Sequence, residues 1–369
     1  MSLDIQNVSD SNSEKSESKI TKKIKKPKIK LADESSFSKM KIRIIFAIIL
    51  SVVLIVYLFS AMAYSFGVTQ IKTATWLDVF AYIHLLISLL ILGGATFEIS
   101  HIFGFRKVYE HTIFIICSTV LYYLPITVAN SYYPAWIFVN WAPSFERYMT
   151  LIWFVGLTIV SLITILMFTK NKNFNPRNIF YFIGYLTIVI FGLKGITALS
   201  LTPVNVISEQ IFGGHSGATI IWIWVMAIVS DTVAYFVGVK WGKTKLAPEI
   251  SPKKSIEGAI GGFAAAFVFG VVFAMILLFA IPNNHNFIPF KGFIGESEVW
   301  AKILIVILFS IIVPILSIAG DLFFSILKRK FDVKDYSNLL PGHGGVLDRL
   351  DSILFTAFIM EIIILLLTI

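Results

Sequence analysis

The stretch Gly320–Asp351 of this chain reads GDLFFSILKRKFDVKDYSNLLPGHGGVLDRLD. It opens with an acid, Asp321, at the end of an apolar run, and continues through a basic cluster and a glycine-rich turn. It closes in Asp-Arg-Leu-Asp, where a second apolar run begins. Because both apolar runs are long enough to be membrane helices, the pattern predicts a charged loop held between two of them.

The composition of the whole chain is that of a membrane protein. Of its 369 residues 57% are hydrophobic and only 14% are charged, and the mean hydropathy is +0.82, far from the balance of soluble domains. The single cysteine, Cys117, excludes a disulfide within the chain and a cysteine metal cluster. The net charge of +9 follows from topology, since the basic residues are segregated along the chain, so no nucleic-acid partner is expected.

From Ile42 onward, apolar runs alternate with short polar loops. Each run holds roughly 20 residues, enough to cross about 30 Å of hydrocarbon as a helix. The pattern predicts an all-α, polytopic membrane protein with about nine transmembrane helices. Pro125 and the Trp-rich connector 133–145 blur the ends of the third and fourth runs, and the connector is typical of an interfacial aromatic belt. The predicted spans are residues 42–66, 76–99, 111–132, 148–168, 178–200, 217–239, 256–281, 301–327 and 350–369.

Residues 1–41 precede the first span and predict a disordered basic cytoplasmic tail. They are rich in Ser, Lys, Asp and Glu, and they cannot bury enough surface to fold alone. Their basic run, Lys22 to Lys30, has two interpretations: attraction to anionic lipid headgroups, or an orientation signal for the first helix. A secretory signal peptide is disfavoured because the first apolar run lies too far from the start and is too long.

The distribution of basic residues predicts the orientation. The loops on one predicted side contain only Lys72, Arg147, Lys291 and Lys302, whereas those on the tail's side contain Arg106, Lys107, Lys170, Lys172, Arg177, Lys240, Lys243, Lys245, Lys253, Lys254, Lys328, Arg329, Lys330, Lys334 and Arg349. Under the positive-inside rule this predicts a cytoplasmic N-terminus, an external C-terminus and an odd number of crossings. The two most polar loops, 239–255 and 328–351, are then both cytoplasmic.

Several acids lie in or beside the predicted spans, where an ionised carboxylate costs at least about 2.5–3.5 kcal/mol on insertion scales. Asp231, Asp321, Asp348 and Asp351 are predicted to reach a similar depth on the cytoplasmic side. Such a cluster suits Mg²⁺, which binds through one or two carboxylates plus substrate phosphates. Each acid also has a structural alternative: a helix-packing hydrogen bond for Asp231, an ion pair with Lys328 for Asp321, and helix capping for Asp348.

Other polar features have weaker interpretations. The glycines of Pro341–Gly345 expose backbone N–H groups that can cradle phosphate. The lysines of the loop 239–255 suit a polyanion, although cytoplasmic loops are rich in lysine in any case. Lys194 and Glu361 lie at another depth and favour structural pairing. The remaining histidines are not spaced like metal ligands, and no role is assigned to them. They are His84, His101, His111, His215 and His285.

The segment Ser325–Asp351 resembles the signature of phosphatidate cytidylyltransferases, the CDP-diacylglycerol synthases. The segment Ser230–Gly262 resembles a second shared region of that family, with departures at Val233 and at Ser255-Ile256. The resemblance extends over residues 215–369, which we interpret as a catalytic transmembrane domain, while residues 42–214 match only as membrane helices. The matching signature positions are Ser325, Lys328, Arg329, Lys334, Asp335, His343, Gly344, Gly345, Asp348, Arg349 and Asp351.

The resemblance implies a multi-pass enzyme of the cell membrane that joins CTP to phosphatidate, with its active site facing the cytoplasm. It implies Asp321 and Asp348 as the metal pair, with Mg²⁺ and room for a second, monovalent cation such as K⁺, and a homodimer. Catalytic roles are expected for those two acids with Lys328, Arg329 and His343. Substrate-binding roles are expected for Ser230, Asp231, Tyr235, Lys243, Lys253, Lys254, Ser325, Lys334, Asp335, Gly344, Gly345, Arg349 and Asp351.

Three alternatives fit parts of the pattern. A transporter or channel would place polar residues across both leaflets, whereas this cluster lies on one side. A nucleotidyltransferase or lipid kinase acting on an isoprenoid lipid would have similar reacting groups and differ in substrate. A binding protein for anionic lipid would not need the paired acids.

Overall fold

The computed structural model describes residues 34–70, 78–124, 148–170, 175–201, 217–280 and 298–368. The chain comprises two units, Met1–Ile45 and Phe46–Ile369, and the packing described below lies within the second. The predicted tail residues before position 34 and the connector 133–145 fall outside the described residues. The described part is mainly helical, with one small β-hairpin and connecting loops, the longest of which is residues 331–346.

The described elements follow one another as helices with a single interruption. In chain order they are α1 Glu34–Gln70, α2 Asp78–Ile102, α3 Val108–Tyr123, α4 Met149–Thr169, α5 Pro176–Leu201, α6 Gly217–Trp241, β1 Lys245–Ala247, β2 Ser251–Ser255, α7 Ile256–Ala280, α8 Val299–Lys330 and α9 Leu347–Thr368.

Seven of the described helices are long and apolar enough to cross a membrane. The all-α, polytopic membrane architecture is therefore confirmed. Helix α3 is shorter, with 16 residues, or about 24 Å at helical rise. Helix α9 carries charges at Asp348, Arg349, Asp351 and Glu361. The candidate spans are Met40–Tyr64, Asp78–Ile102, Thr150–Thr169, Pro176–Leu201, Gly217–Trp241, Ile256–Phe279 and Val299–Lys330.

Two local expectations from the sequence differ from the structure. Helix α1 begins at Glu34, so residues 34–41 of the predicted disordered tail are helical. Once a membrane helix is nucleated, extending it by further residues costs little. The loop 239–255 contains an antiparallel hairpin in which Lys245 pairs with Ser255 and Ala247 with Ser251. Its short strands hold mostly lysine and serine, so no hydrophobic alternation marks them in the sequence.

Helices α5 to α9 form the most closely packed part of the bundle. Helix α7 lies along α6, and α9 packs against both α5 and α8. Small residues allow these approaches: a Cβ added at Gly195 of α5 would lie 2.7 Å from the carbonyl oxygen of Ala357, and one at Gly258 of α7 would lie 2.7 Å from that of Ala234. Close backbone contact of this kind stabilises helix pairs in membranes.

The buried charges Lys194 and Glu361 join α5 to α9, as the predicted structural pairing requires. Both are fully buried, and they interact electrostatically. The Lys194 ammonium also donates a hydrogen bond of 2.8 Å to the carbonyl oxygen of Tyr122, and another to that of Leu124, at the end of α3. One lysine thus satisfies carbonyls at a helix end that would otherwise lack donors in the membrane interior.

The basic loops meet at one end of the bundle. The Nε of Arg329, near the end of α8, donates to the carbonyl oxygen of Ile250 in the hairpin at 2.9 Å. The ammonium of Lys330 lies 3.0 Å from the ring centroid of Tyr181 at the start of α5. The prediction that the loops 239–255 and 328–351 share one side is confirmed.

Candidate active site

A cavity of about 550 Å³ lies at this end of the bundle, between α6, α7, α8 and the hairpin. Four elements bring charge into it: Asp231 comes from α6, Lys245 from β1, Lys253 and Lys254 from β2, and Asp321 from α8. The remaining wall is largely apolar. The lining residues are Asp231, Ala234, Tyr235, Gly238, Val239, Lys245, Leu246, Lys253, Lys254, Ser255, Gly258, Ala259, Ile318 and Asp321.

Lys254 and Asp321 form an ion pair in the cavity wall, with 28% and 24% of their side chains exposed. Asp231 lies within electrostatic range of both. Ser325, one helical turn after Asp321, directs its hydroxyl toward the Asp321 Oδ1 at 3.5 Å. The cavity therefore combines two carboxylates with cationic groups, which suits a ligand carrying both metal and phosphate.

The hairpin that presents the lysines is attached to two helices. The backbone N–H groups of Lys243 and Thr244 donate to the Glu257 carboxylate at the start of α7, at 3.1 and 3.2 Å. The Ser255 hydroxyl oxygen accepts the N–H of Gly258 at 3.1 Å and caps α7. Arg329 of α8 holds the hairpin's turn, as described above. These bonds give Lys253 and Lys254 a defined place above the cavity.

Asp348 organises the loop between α8 and α9, which we name the signature loop (residues 331–346). Its Oδ1 accepts a hydrogen bond from the Lys328 ammonium at 3.0 Å. Its Oδ2 accepts the N–H groups of Tyr336 at 2.8 Å and Gly345 at 2.9 Å. The alternative that Asp321 pairs with Lys328 is wrong, because Lys328 extends toward α9 while Asp321 meets Lys254. Asp348 lies in the first turn of α9, where its charge suits the helix dipole, but the N–H groups that it accepts belong to the residues before the helix.

Asp351 connects the two groups of charges. Its Oδ2 lies 3.9 Å from the Lys328 ammonium, and it is within electrostatic range of Asp321 and Asp231. Its Oδ1 accepts the N–H of Ser352 at 2.8 Å. The four acids predicted to share one depth thus belong to one charge network, in which lysines separate them.

The turn of the signature loop depends on glycine. Gly342 and Gly344 have φ of 78° and 83°, a region that side chains with a Cβ rarely adopt. The N–H of Leu340 donates to the carbonyl oxygen of Gly344 at 2.9 Å. Arg349 closes the turn, since its Nε and Nη2 donate to the carbonyl oxygen of His343 at 2.8 and 2.5 Å. Arg349 therefore shapes the turn through the backbone.

Tyr336 fixes the other side of the loop. Its hydroxyl donates to the carbonyl oxygen of Phe324 at 2.8 Å, and the Lys328 ammonium lies 5.3 Å from its ring centroid. Burial raises the pKa of the Tyr336 phenol well above its usual value, so the phenol remains a neutral donor.

Several residues expected at the site lie elsewhere in the structure. Ser230 is fully buried, and its hydroxyl has no hydrogen-bond partner among the described residues. Lys334 and Asp335 are exposed on the signature loop. Arg329 donates to carbonyl oxygens of Ile250 and of its own loop. None of the four lines the cavity: Ser230 is packed inside the bundle and Arg329 contacts the hairpin. The signature loop leaves Lys334 and Asp335 exposed.

Glu98, a fully buried acid near the end of α2, is a functional candidate that the sequence pattern does not single out. Its carboxylate accepts hydrogen bonds from the Ser337 hydroxyl at 2.6 Å, the Val346 N–H at 2.7 Å and the Leu347 N–H at 2.9 Å. The available signal was the cost of an acid inside a predicted span. It passed unnoticed because no basic or glycine-rich motif surrounds Glu98 in the sequence.

The donor set fits a hard divalent cation that binds together with phosphates. Within the described ranges, no group of three or more His, Cys, Asp or Glu side chains is arranged to hold a metal by itself. Mg²⁺ needs only one or two carboxylates when substrate phosphates supply further oxygens. Asp321 already meets a cationic group in the cavity wall. Asp348, 6% exposed, joins such a site only if Lys328 gives way.

Comparison with known proteins places these residues in a family context. The model of the Cytidylyltransferase family matches residues 39–367. A phosphatidate cytidylyltransferase of Thermotoga maritima is 38% identical over 135 residues, 37% of this chain and 44% of that protein. One from Helicobacter pylori is 36% identical over 154 residues, 42% and 50% respectively, and one from Bacillus subtilis is 40% identical over 126 residues, 34% and 39%. The chain thus spans half or less of the length of these relatives.

Proposed function

This chain belongs to the Cytidylyltransferase family, and on that premise we propose that it is a phosphatidate cytidylyltransferase. The reaction transfers CMP from CTP to phosphatidate and yields CDP-diacylglycerol and pyrophosphate. The observation that carries the proposal is the junction of an acid- and lysine-lined cavity with the signature loop at one end of a membrane bundle. The names of the similar proteins from T. maritima, H. pylori and B. subtilis support the choice of substrates.

The chemistry joins two polyanions. A phosphate oxygen of phosphatidate attacks the α-phosphorus of CTP, a new P–O bond forms, and the bond to the β-phosphate oxygen breaks as pyrophosphate leaves. The attacking oxygen is already anionic, so the step needs no dedicated general base. The main barrier is charge repulsion, which fixed cations and oriented N–H groups lower most when water is excluded.

The lysines of the network supply that positive charge. Lys253 and Lys254 line the cavity from the hairpin, and Lys328 of α8 belongs to the adjoining part of the charge network, beside Asp348 and Asp351. Lys254 and Lys328 are paired with Asp321 and Asp348. When triphosphate enters, both lysines can exchange these carboxylates for phosphate oxygens without leaving the site. His343 and the glycines of the turn would line the phosphate-facing side, with Tyr235 and Asp231 opposite.

Asp321 and Asp348 would hold Mg²⁺, as the pairing of each with an ammonium group supports. The ion would neutralise charge on the CTP phosphates and on the leaving pyrophosphate. We also propose a second, monovalent cation such as K⁺ at this site. Asp351 and Ser325, which lie in the same charge network, would supply oxygen ligands to it.

We also propose the membrane arrangement of the enzyme. The described helices α1 to α9 would make nine crossings of the cell membrane, with the N-terminus and the cavity on the cytoplasmic side. The clustering of basic loops at one end of the bundle supports this orientation. CTP would enter from the cytoplasm and phosphatidate sideways from the inner leaflet, and the protein would act as a homodimer.

The deciding experiment incubates the purified full chain in detergent with phosphatidate, labelled CTP and Mg²⁺, followed by lipid extraction. Label should appear in CDP-diacylglycerol and pyrophosphate should be released in equal amount. Parallel reactions with an isoprenoid phosphate, with ATP, or with EDTA should give little product. Transfer to the isoprenoid phosphate but not to phosphatidate, or lipid phosphorylation by ATP, would contradict the proposal.

A further inference from the structure

Glu98 lies outside residues 215–369, the predicted catalytic domain, yet it forms hydrogen bonds with the signature loop and the start of α9. It belongs to α2, and none of its surface is exposed. Its Oε1 accepts the Ser337 hydroxyl at 2.6 Å and the Val346 N–H at 2.7 Å, and its Oε2 accepts the Leu347 N–H at 2.9 Å. A buried carboxylate with three donors is held firmly, since charged hydrogen bonds are stronger than neutral ones.

The donors to Glu98 include the first N–H groups of α9. Helix α9 begins at Leu347, and the N–H groups of a helix's first turn lack partners within the helix. The helix dipole also favours a negative charge there. Glu98 therefore performs for α9, from another helix, the function that an N-cap side chain usually performs.

Glu98 and Asp348 hold the signature loop together from two sides. Asp348 accepts the N–H groups of Tyr336 and Gly345. Glu98 accepts from the next residue on each branch, Ser337 and Val346. The two branches of the loop are thus joined by two adjacent carboxylates, one of which is bonded to Lys328.

The packing of α2 against the loop leaves no spare room. A Cβ added at Gly345 would lie 2.6 Å from the Glu98 Oε1 and 2.7 Å from its Cδ and Oε2. One turn earlier on α2, a Cβ at Gly94 would lie 3.0 Å from the Val346 Cγ2. A side chain at position 345 would therefore fit only if the Glu98 carboxylate moved, and that movement would disturb its three hydrogen bonds.

We propose that Glu98 is a positioning residue that holds the signature loop, and through it Asp348 and Lys328, in the geometry that the reaction needs. The proposal rests on the proposed function, because Asp348 and Lys328 are placed in its machinery. The sequence identifies the N-terminal half of the chain only as membrane helices. Through Glu98, this half of the chain would help to position the residues of the proposed reaction. Glu98 touches the loop backbone, and its effect reaches the substrates only through the residues that the loop carries.

The test compares the full chain with Glu98→Ala and Glu98→Gln in detergent. A misplacement on the order of 1 Å can cost roughly 100-fold in rate, so we expect Glu98→Ala to lower kcat at least ~10-fold. Glu98→Gln keeps an acceptor oxygen and should retain several times more activity than Glu98→Ala. If the loss came only from misfolding of the whole protein, the two variants would not be expected to differ in kcat according to the acceptor that each retains.

Hydrogen–deuterium exchange supplies a readout that does not depend on turnover. Amides of residues 337–347 should exchange faster in Glu98→Ala, while those of α5 keep the wild-type rate. Should Glu98→Ala fail to fold, Glu98→Gln and Ser337→Ala carry the same comparison, with smaller increases expected. Wild-type exchange and wild-type kcat in these variants would overturn the proposal.

Gly345 allows a matched test of the contact. Gly345→Ala should lower kcat at least ~10-fold in the wild-type background but add little further loss to Glu98→Ala, which removes the clashing carboxylate. Gly344→Ala is the control, since its φ of 83° penalises any Cβ in both backgrounds. Additive losses for Gly345→Ala would contradict the contact.

The two proposals fail in different ways. If the wild-type chain does not convert phosphatidate but the loop amides exchange faster in Glu98→Ala, the proposed function is refuted. The conclusion that Glu98 stabilises the signature loop would still stand. An active wild-type chain whose Glu98→Ala variant matches it in kcat and exchange would refute the positioning role alone.

Discussion

Two acids of the site are neutralised by a lysine from another part of the chain. Asp321 meets Lys254 of the hairpin, and Asp348 meets Lys328 of α8. Unpaired buried charge is expensive, so a lysine near each acid stabilises the site. On the proposed function, a divalent cation would replace these lysines at the acids, and the lysines would then be available to phosphate.

Asp348→Asn tests this network at a single position. The amide nitrogen of asparagine cannot accept a hydrogen bond, so either Lys328 or the N–H groups of Tyr336 and Gly345 lose a partner. The expected loss of unfolding free energy is roughly 1–3 kcal/mol, and kcat should fall by roughly 100-fold or more. Thermal unfolding and steady-state kinetics measure the two effects.

Asp332→Asn is the control for that variant. Asp332 is exposed on the same loop with φ of 52°, a conformation that asparagine also tolerates. The free energy of unfolding should stay close to that of the wild type and kcat should stay within about twofold, because a solvated surface charge contributes little. Equal losses in both variants would argue against a special role of Asp348.

At the scale of elements, the hairpin is the unit that delivers the lysines. It is fastened to α7 through Glu257 and to α8 through Arg329. The Lys254–Asp321 ion pair and the Arg329 hydrogen bond both couple it to the helix that carries Asp321 and Lys328. Arg329 makes its contact outside the cavity lining, so it can be changed without altering the residues that line the cavity.

Arg329→Ala should loosen the hairpin and weaken nucleotide binding. Loss of a charge-assisted hydrogen bond of about 1.5–3 kcal/mol predicts a rise of roughly 10-fold in the KM for CTP and a smaller change in kcat. Trypsin should also cleave faster after Lys253 and Lys254. Lys240→Ala, which removes one charge from the same end of the bundle, should leave the KM nearly unchanged; an equal rise would indicate an effect of charge alone.

The contact between α5 and α9 gives another test at this scale. Gly195→Ala places a Cβ 2.7 Å from the carbonyl oxygen of Ala357, and overpacking of this kind costs roughly 1–3 kcal/mol. Its melting temperature in detergent should fall by at least roughly 3 °C. Gly184, in the same helix, has no atom within 4 Å of an added Cβ, so Gly184→Ala should melt with the wild type. Identical melting of both variants would contradict the close packing.

At the scale of the whole molecule, the N-terminal helices support the C-terminal site. Lys194 and Glu361 join α5 to α9 in the interior, and Glu98 joins α2 to the signature loop. The basic loops gather at one end, while the helices between them expose apolar side chains such as Ile55 and Phe279, as lipid contact requires.

The orientation of this bundle can be measured by cysteine labelling. In a Cys117→Ser background, cysteines at the exposed positions Lys170 and Glu249 lie at the basic end, and those at Tyr148 and Glu298 begin α4 and α8 at the other end. On the proposed orientation, an impermeant maleimide added to intact cells should label only the last two. Labelling of Lys170→Cys or Glu249→Cys in intact cells would reverse the proposal.

The sequence by itself determined the membrane class, the positions of the helices and the residues of the signature. These depend on local properties, namely apolar length, basic loops and a contiguous motif. It also predicted that two polar loops share one side, because the number of crossings between them follows from the spans.

Only the tertiary structure decided which charges meet. The pairing of Lys254 with Asp321 and the contact of Glu98 with Val346 join residues far apart in the chain. The pairing of Lys328 with Asp348 joins two different helices within one stretch. The sequence offered Lys328 as one alternative partner for Asp321, because both lie on the same helix, yet the Lys328 side chain extends to α9 instead. Electrostatic partners in a low-dielectric interior are set by distance in space, and that distance is known only once the helices are packed.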